Sequence, residues 1–192
     1  MNKLKKHSTE IWAYLVLSDK DTLRLHDFFE NIIGIDKKFL VKNMHLTVYH
    51  SRREMPKVEP IMQPANITVP VNNLRFMVMA PGGENPRPEL EPGKRKIGLR
   101  IQKQSPCIED IRFYRSLLIE HETRGVLGSR NRSSNTHNAF GARHFQPHIT
   151  ILKAGNNIDR DLTKAGNRLR EMIDELHFDQ FVINIIKNEN ME

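Results

Sequence analysis

Residues 45–48 of the chain read His-Leu-Thr-Val, and residues 148–151 read His-Ile-Thr-Ile. Each stretch alternates polar and apolar side chains, which predicts a β-strand with one buried face, because successive side chains of a strand point to opposite faces. The apolar members then enter the core, while a histidine and a threonine lie roughly 7 Å apart on the other face. The pattern occurs once in each half of the chain, so we expect two matching strands.

The His-x-Thr triplet alone is weak evidence, because it also occurs at His7 and at His121. Those two copies lack apolar residues at the second and fourth positions. The copies that begin at His45 and His148 combine the triplet with the alternation of a half-buried strand. The informative signal is therefore the pair of segments rather than either segment alone.

The residue types of these segments suit phosphate chemistry if the two strands lie side by side. A neutral imidazole takes a proton from a nucleophile and an imidazolium gives one to a leaving group, and an ordinary pKa of about 6.5 permits both forms near neutrality. Threonine hydroxyls donate hydrogen bonds to non-bridging oxygens as charge develops there. The predicted catalytic residues are therefore His45, Thr47, His148 and Thr150. The alternative is that both segments are ordinary half-buried strands with partly exposed histidines.

The rest of the chain predicts an α+β protein with two similar halves in one domain over residues 1–192. Polar, Pro-rich or Gly-rich stretches predict loops at 55–64, 81–93 and 125–143. Helical periodicity predicts helices from Asp19 to Gly34, over 105–121 and over 159–176. Apolar and alternating runs predict strands over 11–18, 44–50, 67–71, 74–80, 96–102, 146–153 and 178–186.

The paired segments resemble the motifs of the two-histidine (2H) phosphoesterase superfamily, which includes 2′,5′ RNA ligase-like proteins and cyclic nucleotide phosphodiesterases. The second match covers residues 145–151, where Pro147 just before the histidine is part of the resemblance. The order of elements fits over roughly residues 10–187. The resemblance implies a two-lobed fold with pseudo-two-fold related halves and antiparallel sheets around a central cleft.

The resemblance also implies the roles of individual residues. His45 and His148 share the acid and base roles, and the two threonines hold the phosphate, without a metal or cofactor. Lys153 stands where the family's second motif often ends in arginine, and it would give the substrate a point charge rather than a bidentate fork.

The implied function is a metal-independent phosphodiesterase that acts on nucleotides or oligonucleotides, whether 2′,5′-linked, cyclic or 3′,5′-linked like RNA. Attack by a ribose 2′-hydroxyl would leave a 2′,3′-cyclic phosphate, whereas attack by water would open a cyclic phosphate or a 2′,5′ link. The sequence favours neither nucleophile and does not assign acid and base. Cyclic signalling oligonucleotides, which phage anti-defence members of the superfamily degrade, are among the expected substrates. The competing interpretation is a non-catalytic, basic RNA- or nucleotide-binding module that uses the same cleft.

The charge balance indicates either a polyanionic partner or an ordinary solvated basic surface. The 30 Lys and Arg outnumber the 23 Asp and Glu, for a net charge of +7, and the resulting positive electrostatic field attracts nucleic acid.

The single cysteine, Cys107, excludes an intrachain disulfide and a cysteine-rich zinc site, and we expect it to be a small apolar core residue in a cytoplasmic protein. The longest apolar run, over residues 11–17, is too short to span a bilayer, so no membrane association is expected.

Several further side chains are candidates for the substrate site. Tyr49 has the same parity as His45, so we expect it on the same face, where its ring could stack on a base. The alternative is a tyrosine at the strand end that packs on its neighbour. His50 has the opposite parity. Trp12 and Tyr14 are expected to fill the core rather than line the cleft.

Arginines in the 125–143 loop are candidate ligands of a polynucleotide backbone, and Arg143 is the best of them because it precedes the second motif closely. The alternative is that this segment is only a mobile, solvated loop. The spacing of His144 and His148 would suggest zinc on a helix. Pro147 argues against a helix, and four residues of a strand span roughly 13 Å, so we expect no metal site there.

Overall fold

The structure is a computed structural model that describes residues 8–51, 55–79, 95–122, 145–156, 158 and 162–188. Within these residues the chain is an α+β protein with three α-helices and seven strands, which confirms the predicted class. No helix in this part of the chain is long and apolar enough to cross a membrane. The helices are α1 (Asp19–Asp27), α2 (Ile108–Ile119) and α3 (Leu162–Met172). The strands are β1 (Ser8–Leu17), β2 (His45–Ser51), β3 (Ile61–Pro70), β4 (Leu74–Met79), β5 (Lys96–Ile101), β6 (His148–Leu152) and β7 (Glu175–Asn188).

All seven described strands form one antiparallel sheet in the order β3-β7-β1-β2-β6-β5-β4. The strand–helix–strand unit β1-α1-β2 is followed later in the chain by a second such unit, β5-α2-β6. These units meet at the centre of the sheet, where β2 lies beside β6, while β1 and β5 lie on the outer sides. The two halves thus contribute to one continuous sheet, and this arrangement is compatible with the pseudo-two-fold related halves that the resemblance implied.

One row of side chains across the sheet defines the buried face. Leu15, Leu46, Ile149 and Leu99 are successive cross-strand partners, and all are at most 1% exposed. Directly opposed residues share a face of the sheet. Burying each of these side chains contributes about 1.5–3 kcal/mol, so the centre of the sheet is firmly held against the helices.

Helices cover both ends of this buried row. Phe181, the partner of Leu15 on β7, contacts Tyr114 of α2 at a ring-centroid distance of 4.7 Å. Phe76 of β4 contacts Phe29, just after α1, at 6.1 Å. The opposite face of the central strands is therefore the one that is left for a functional site.

The edge position of β3 explains one difference from the sequence expectation. The strand begins at Ile61 and contains Pro64, within the stretch 55–64 that was predicted as a loop. Proline cannot donate to a neighbouring strand, and it is tolerated at an edge or an irregularity. Both conditions hold here, because β3 is the outermost strand and its register with β7 shifts after Pro64.

Asp21 ties α1 to the last strand. Its fully buried carboxylate accepts hydrogen bonds from the backbone N–H of His177 at 2.7 Å and from the guanidinium of Arg24 at 2.8 Å. Burial alone would raise the pKa of Asp21, but the hydrogen bonds from His177 and Arg24 outweigh it and hold the pKa below its ordinary value. The carboxylate is therefore a charged anchor within the fold.

Cys107 lies directly before α2 and is 3% exposed. Burial raises the pKa of its thiol. The side chain therefore packs as a neutral, small apolar residue, as the sequence predicts.

Candidate functional site

The two His-x-Thr segments lie on adjacent strands at the centre of the sheet. Leu46 of β2 is directly opposite Ile149 of β6, and this antiparallel register places Thr47 opposite His148 and His45 opposite Thr150. The two apolar residues are fully buried, whereas the four polar ones are half-buried on the opposite face. Opposed Cα atoms are about 4.5–5.5 Å apart, and diagonal pairs such as the two histidines are about 7–8 Å apart. This spacing lets both imidazoles reach a single phosphate.

The two imidazoles are oriented by the same local contact. Nδ1 of His45 donates to the backbone carbonyl of Asn43 at 3.0 Å, and Nδ1 of His148 donates to the carbonyl of Gln146 at 2.9 Å. A carbonyl only accepts hydrogen bonds, so the proton stays on Nδ1 in both the neutral and the charged ring. Nε2 is therefore the nitrogen that accepts or releases a proton in each histidine.

A β-bulge follows the threonine of the first segment. Tyr14 of β1 is opposite Thr47, but the next residue, Ala13, is opposite Tyr49, so Val48 is the extra residue. A bulge interrupts the alternation of side chains along its strand. Residues beyond Val48 consequently point to the face opposite to the one that their parity predicts.

The second segment contains the same irregularity at the equivalent position. Gly98 of β5 is opposite Thr150, and Ile97 is opposite Leu152, so Ile151 is the extra residue. Leu152 is accordingly 0% exposed, as Ile151 is. The two motif strands therefore match in sequence, in the orientation of their histidines and in the place where each strand bends.

Each bulge carbonyl accepts a hydrogen bond from a residue outside the neighbouring strand. Arg115 of α2 donates to the carbonyl of Val48 at 2.7 Å, and the backbone N–H of Val41 donates to the carbonyl of Ile151 at 2.9 Å. Arg115 is buried, and its guanidinium also lies 4.4 Å from the ring centroid of Phe145, just before β6. One side chain of α2 thus contacts both motif regions.

The bulge makes the expectation for Tyr49 wrong. The ring is 0% exposed on the core side, and its hydroxyl donates to a carboxylate oxygen of Glu122 at 3.0 Å. Burial and the neighbouring carboxylate raise the pKa of Tyr49, which keeps the phenol neutral. Tyr49 consequently cannot stack on a substrate at the His45 face.

The same reversal corrects the expectation for His50, and the pairing of β1 with β2 corrects those for Trp12 and Tyr14. His50 is opposite Trp12, and their rings stack with centroids 3.6 Å apart. The Tyr14 ring lies 5.0 Å from that of His45. All three side chains are half-buried on the motif face rather than in the core. Alternation along β1 shows that Trp12 and Tyr14 share a face, but only the strand pairing shows which face it is.

The other flank of the motif face is cationic, which the sequence reasoning missed. Arg100 of β5 is directly opposite His148, and Arg75 of β4 is directly opposite Arg100. Both arginines are exposed. Alternation along β5 predicts that Arg100 lies on the solvent-facing side of the sheet, but its position beside His148 depends on the pairing of β5 with β6.

The two remaining predicted binding residues have different outcomes. Lys153 is exposed, and its Nζ donates to the backbone carbonyl of Lys38 at 3.4 Å. Its role in substrate binding stays a prediction. Arg143 lies outside the described residues, as do the loops 125–143 and 81–93.

The site offers two proton-transfer groups, two hydroxyl donors, an aromatic flank and a cationic flank. Among the described residues, no group of three or more His, Cys, Asp or Glu side chains is placed to hold a metal ion. No protein-family model matches the chain, and comparison with curated proteins gives no significant match. A functional assignment therefore depends on the chemistry of these side chains.

Proposed function

We propose that the protein is a metal-independent phosphodiesterase that acts on nucleotides or oligonucleotides by acid–base catalysis with two histidines. The observation that carries the proposal is that His45 and His148 lie diagonally across β2 and β6 on the same half-buried face, each with its Nδ1 donating to a backbone carbonyl. Each Nε2 is then available for proton transfer beside a threonine hydroxyl. Strands that only packed against the core would not need two histidines, distant in sequence, in the same orientation.

In the proposed mechanism, Nε2 of one histidine takes the proton of an attacking hydroxyl, whose oxygen forms a bond to phosphorus. Nε2 of the other histidine, protonated at the start, gives its proton to the leaving oxygen as the second P–O bond breaks. Thr47 and Thr150 donate hydrogen bonds to the non-bridging oxygens. The near-symmetry of the site suits either assignment of acid and base, and either water or a ribose hydroxyl as the nucleophile.

The surroundings of the site favour a nucleotide as the substrate. Half-buried Trp12 and Tyr14 lie on the same face as the candidate catalytic groups. Stacking of a base on such a ring contributes about 1–3 kcal/mol of binding free energy per base. The net charge of +7 favours polyanions. The repeated strand–helix–strand units that meet between β2 and β6 are also compatible with a two-lobed 2H phosphoesterase architecture.

The test is incubation of the full chain with 2′,5′-linked, 3′,5′-linked and cyclic oligonucleotides, with and without EDTA. We expect cleavage of at least one class in the presence of EDTA. His45→Ala and His148→Ala should each lower turnover of that substrate by about 10²–10⁴-fold. His121→Ala is the matched control, because His121 also begins a His-x-Thr triplet but is an exposed residue after α2. Turnover by this variant should equal turnover by the wild type.

The alternative of a non-catalytic RNA-binding module predicts a different result. It predicts salt-sensitive binding that survives the loss of either histidine, and no cleavage.

The catalytic proposal also predicts that turnover of the wild type passes through a maximum with pH, because one imidazole must be neutral while the other is protonated. Full activity of either histidine variant would refute the acid–base assignment.

A further inference from the structure

The two halves of the site match in the motif strands but differ in the residues opposite them. Val16 is the partner of His45, whereas Arg100 is the partner of His148. Orientation of the histidines does not need this arginine, because His45 has the same backbone contact without one. The positive charge beside His148 therefore indicates a role other than support of the motif.

A second arginine extends the charge away from the centre. Arg75 is directly opposite Arg100 across β4 and β5, and both side chains are exposed. Like charges at directly opposed positions tend to destabilise an antiparallel pair. An anion bound between the two guanidinium groups would relieve this repulsion.

The contacts of these arginines are with neutral oxygens. Arg100 donates to the side-chain amide oxygen of Gln146 at 3.5 Å, and Arg75 donates to the backbone carbonyls of Asn72 and Leu74 at 2.8 and 2.7 Å. Among the described residues, no carboxylate forms an ion pair with either guanidinium, in contrast to Arg24, which pairs with Asp21. Both guanidinium groups retain N–H donors for a phosphate.

The spacing separates this pair from the phosphate that reacts. Neighbouring strands are about 4.8 Å apart, so Arg100 lies one strand spacing from His148 and Arg75 lies two. Arg100 can therefore contact the reacting phosphate or its neighbour, whereas Arg75 is placed for the neighbour.

We propose that Arg100 and Arg75 bind a second phosphate, so that the preferred substrate is an oligonucleotide with a phosphate next to the scissile one rather than a mononucleotide or a dinucleoside monophosphate. This inference rests on the proposed function. The aromatic flank at Trp12 and Tyr14 then takes a base on the opposite side of the reacting phosphate, and the substrate crosses the sheet from β1 to β4.

The test compares a dinucleoside monophosphate, in the linkage that the wild type cleaves, with the same compound carrying an added 5′- or 3′-phosphate. One phosphorylated form should have a kcat/KM about tenfold higher, as expected for a new charge-assisted contact. Arg75→Gln should reduce this preference at least about fivefold. Arg168→Gln removes the same charge from an exposed position on α3, and it should leave the preference unchanged.

A binding measurement separates this inference from the proposed function. The fluorescently labelled phosphorylated dinucleotide is titrated into His45→Ala protein, with and without Arg75→Gln, over a range of salt concentrations. Loss of one phosphate contact should reduce the slope of log affinity against log salt by about one. Cleavage of no compound would refute the proposed function alone. An unchanged preference and salt slope in Arg75→Gln would overturn the second phosphate site.

Discussion

Replacement of Arg115 by methionine tests whether the contact of α2 with both motif regions maintains the site. The substitution keeps an unbranched apolar stem but removes the donor to the Val48 carbonyl at 2.7 Å and the cation above the Phe145 ring at 4.4 Å. Removing the donor of a buried carbonyl costs about 1–3 kcal/mol, and a desolvated cation–π contact contributes about 2 kcal/mol. The free energy of unfolding should therefore fall by about 3–5 kcal/mol.

The assay is urea-induced unfolding followed by the fluorescence of Trp12, the single tryptophan of the chain. The midpoint should decrease while the dependence of the free energy on urea stays the same. Arg112→Met is the matched control, because Arg112 lies one turn earlier on α2, is exposed and pairs with Glu109. Loss of such a pair should cost only about 0.3–0.5 kcal/mol. Equal midpoints for the two variants would refute the role of Arg115 at the bulge.

Two further predictions concern stability. The pKa of Asp21 lies below its ordinary value in the folded protein, so its contribution to stability is complete above about pH 5 and is lost as the pH falls through the folded pKa. Asp21→Asn should flatten the acid decline of the thermal unfolding midpoint, and an unchanged decline would contradict this. A Cβ atom at Gly98 would lie 2.8 Å from the carbonyl oxygen of Ile149, so Gly98→Ala should lower the free energy of unfolding by about 1–3 kcal/mol. An unchanged urea midpoint would show that β5 and β6 adjust without cost.

Local pattern was sufficient to predict the strands that carry His45 and His148 and the α+β order around them. Alternation over four residues determines which side chains of a strand share a face, because the side-chain repeat of a strand is two residues. The burial of Leu46 and Ile149 opposite their polar neighbours follows from this repeat. The histidine and the threonine of each motif therefore share a face for a reason that is visible in the sequence, whereas the meeting of the two motifs depends on the pairing of β2 with β6.

Tertiary structure determined which side chains lie around the four candidate catalytic residues. The bulges after Thr47 and Thr150 reverse the alternation, and their carbonyls are bound by Arg115 and Val41 from distant parts of the chain. No pattern within β2 shows that Tyr49 is buried.

The positions of Arg100 and Arg75 beside His148 likewise depend on the order of strands in the sheet. Strand order depends on how distant parts of the chain pack together, so it is not visible in the residues of any one strand. The sequence alone thus determined that the histidine and the threonine of each motif share a face of their strand. Pairing between distant strands decided which aromatic and cationic side chains surround them.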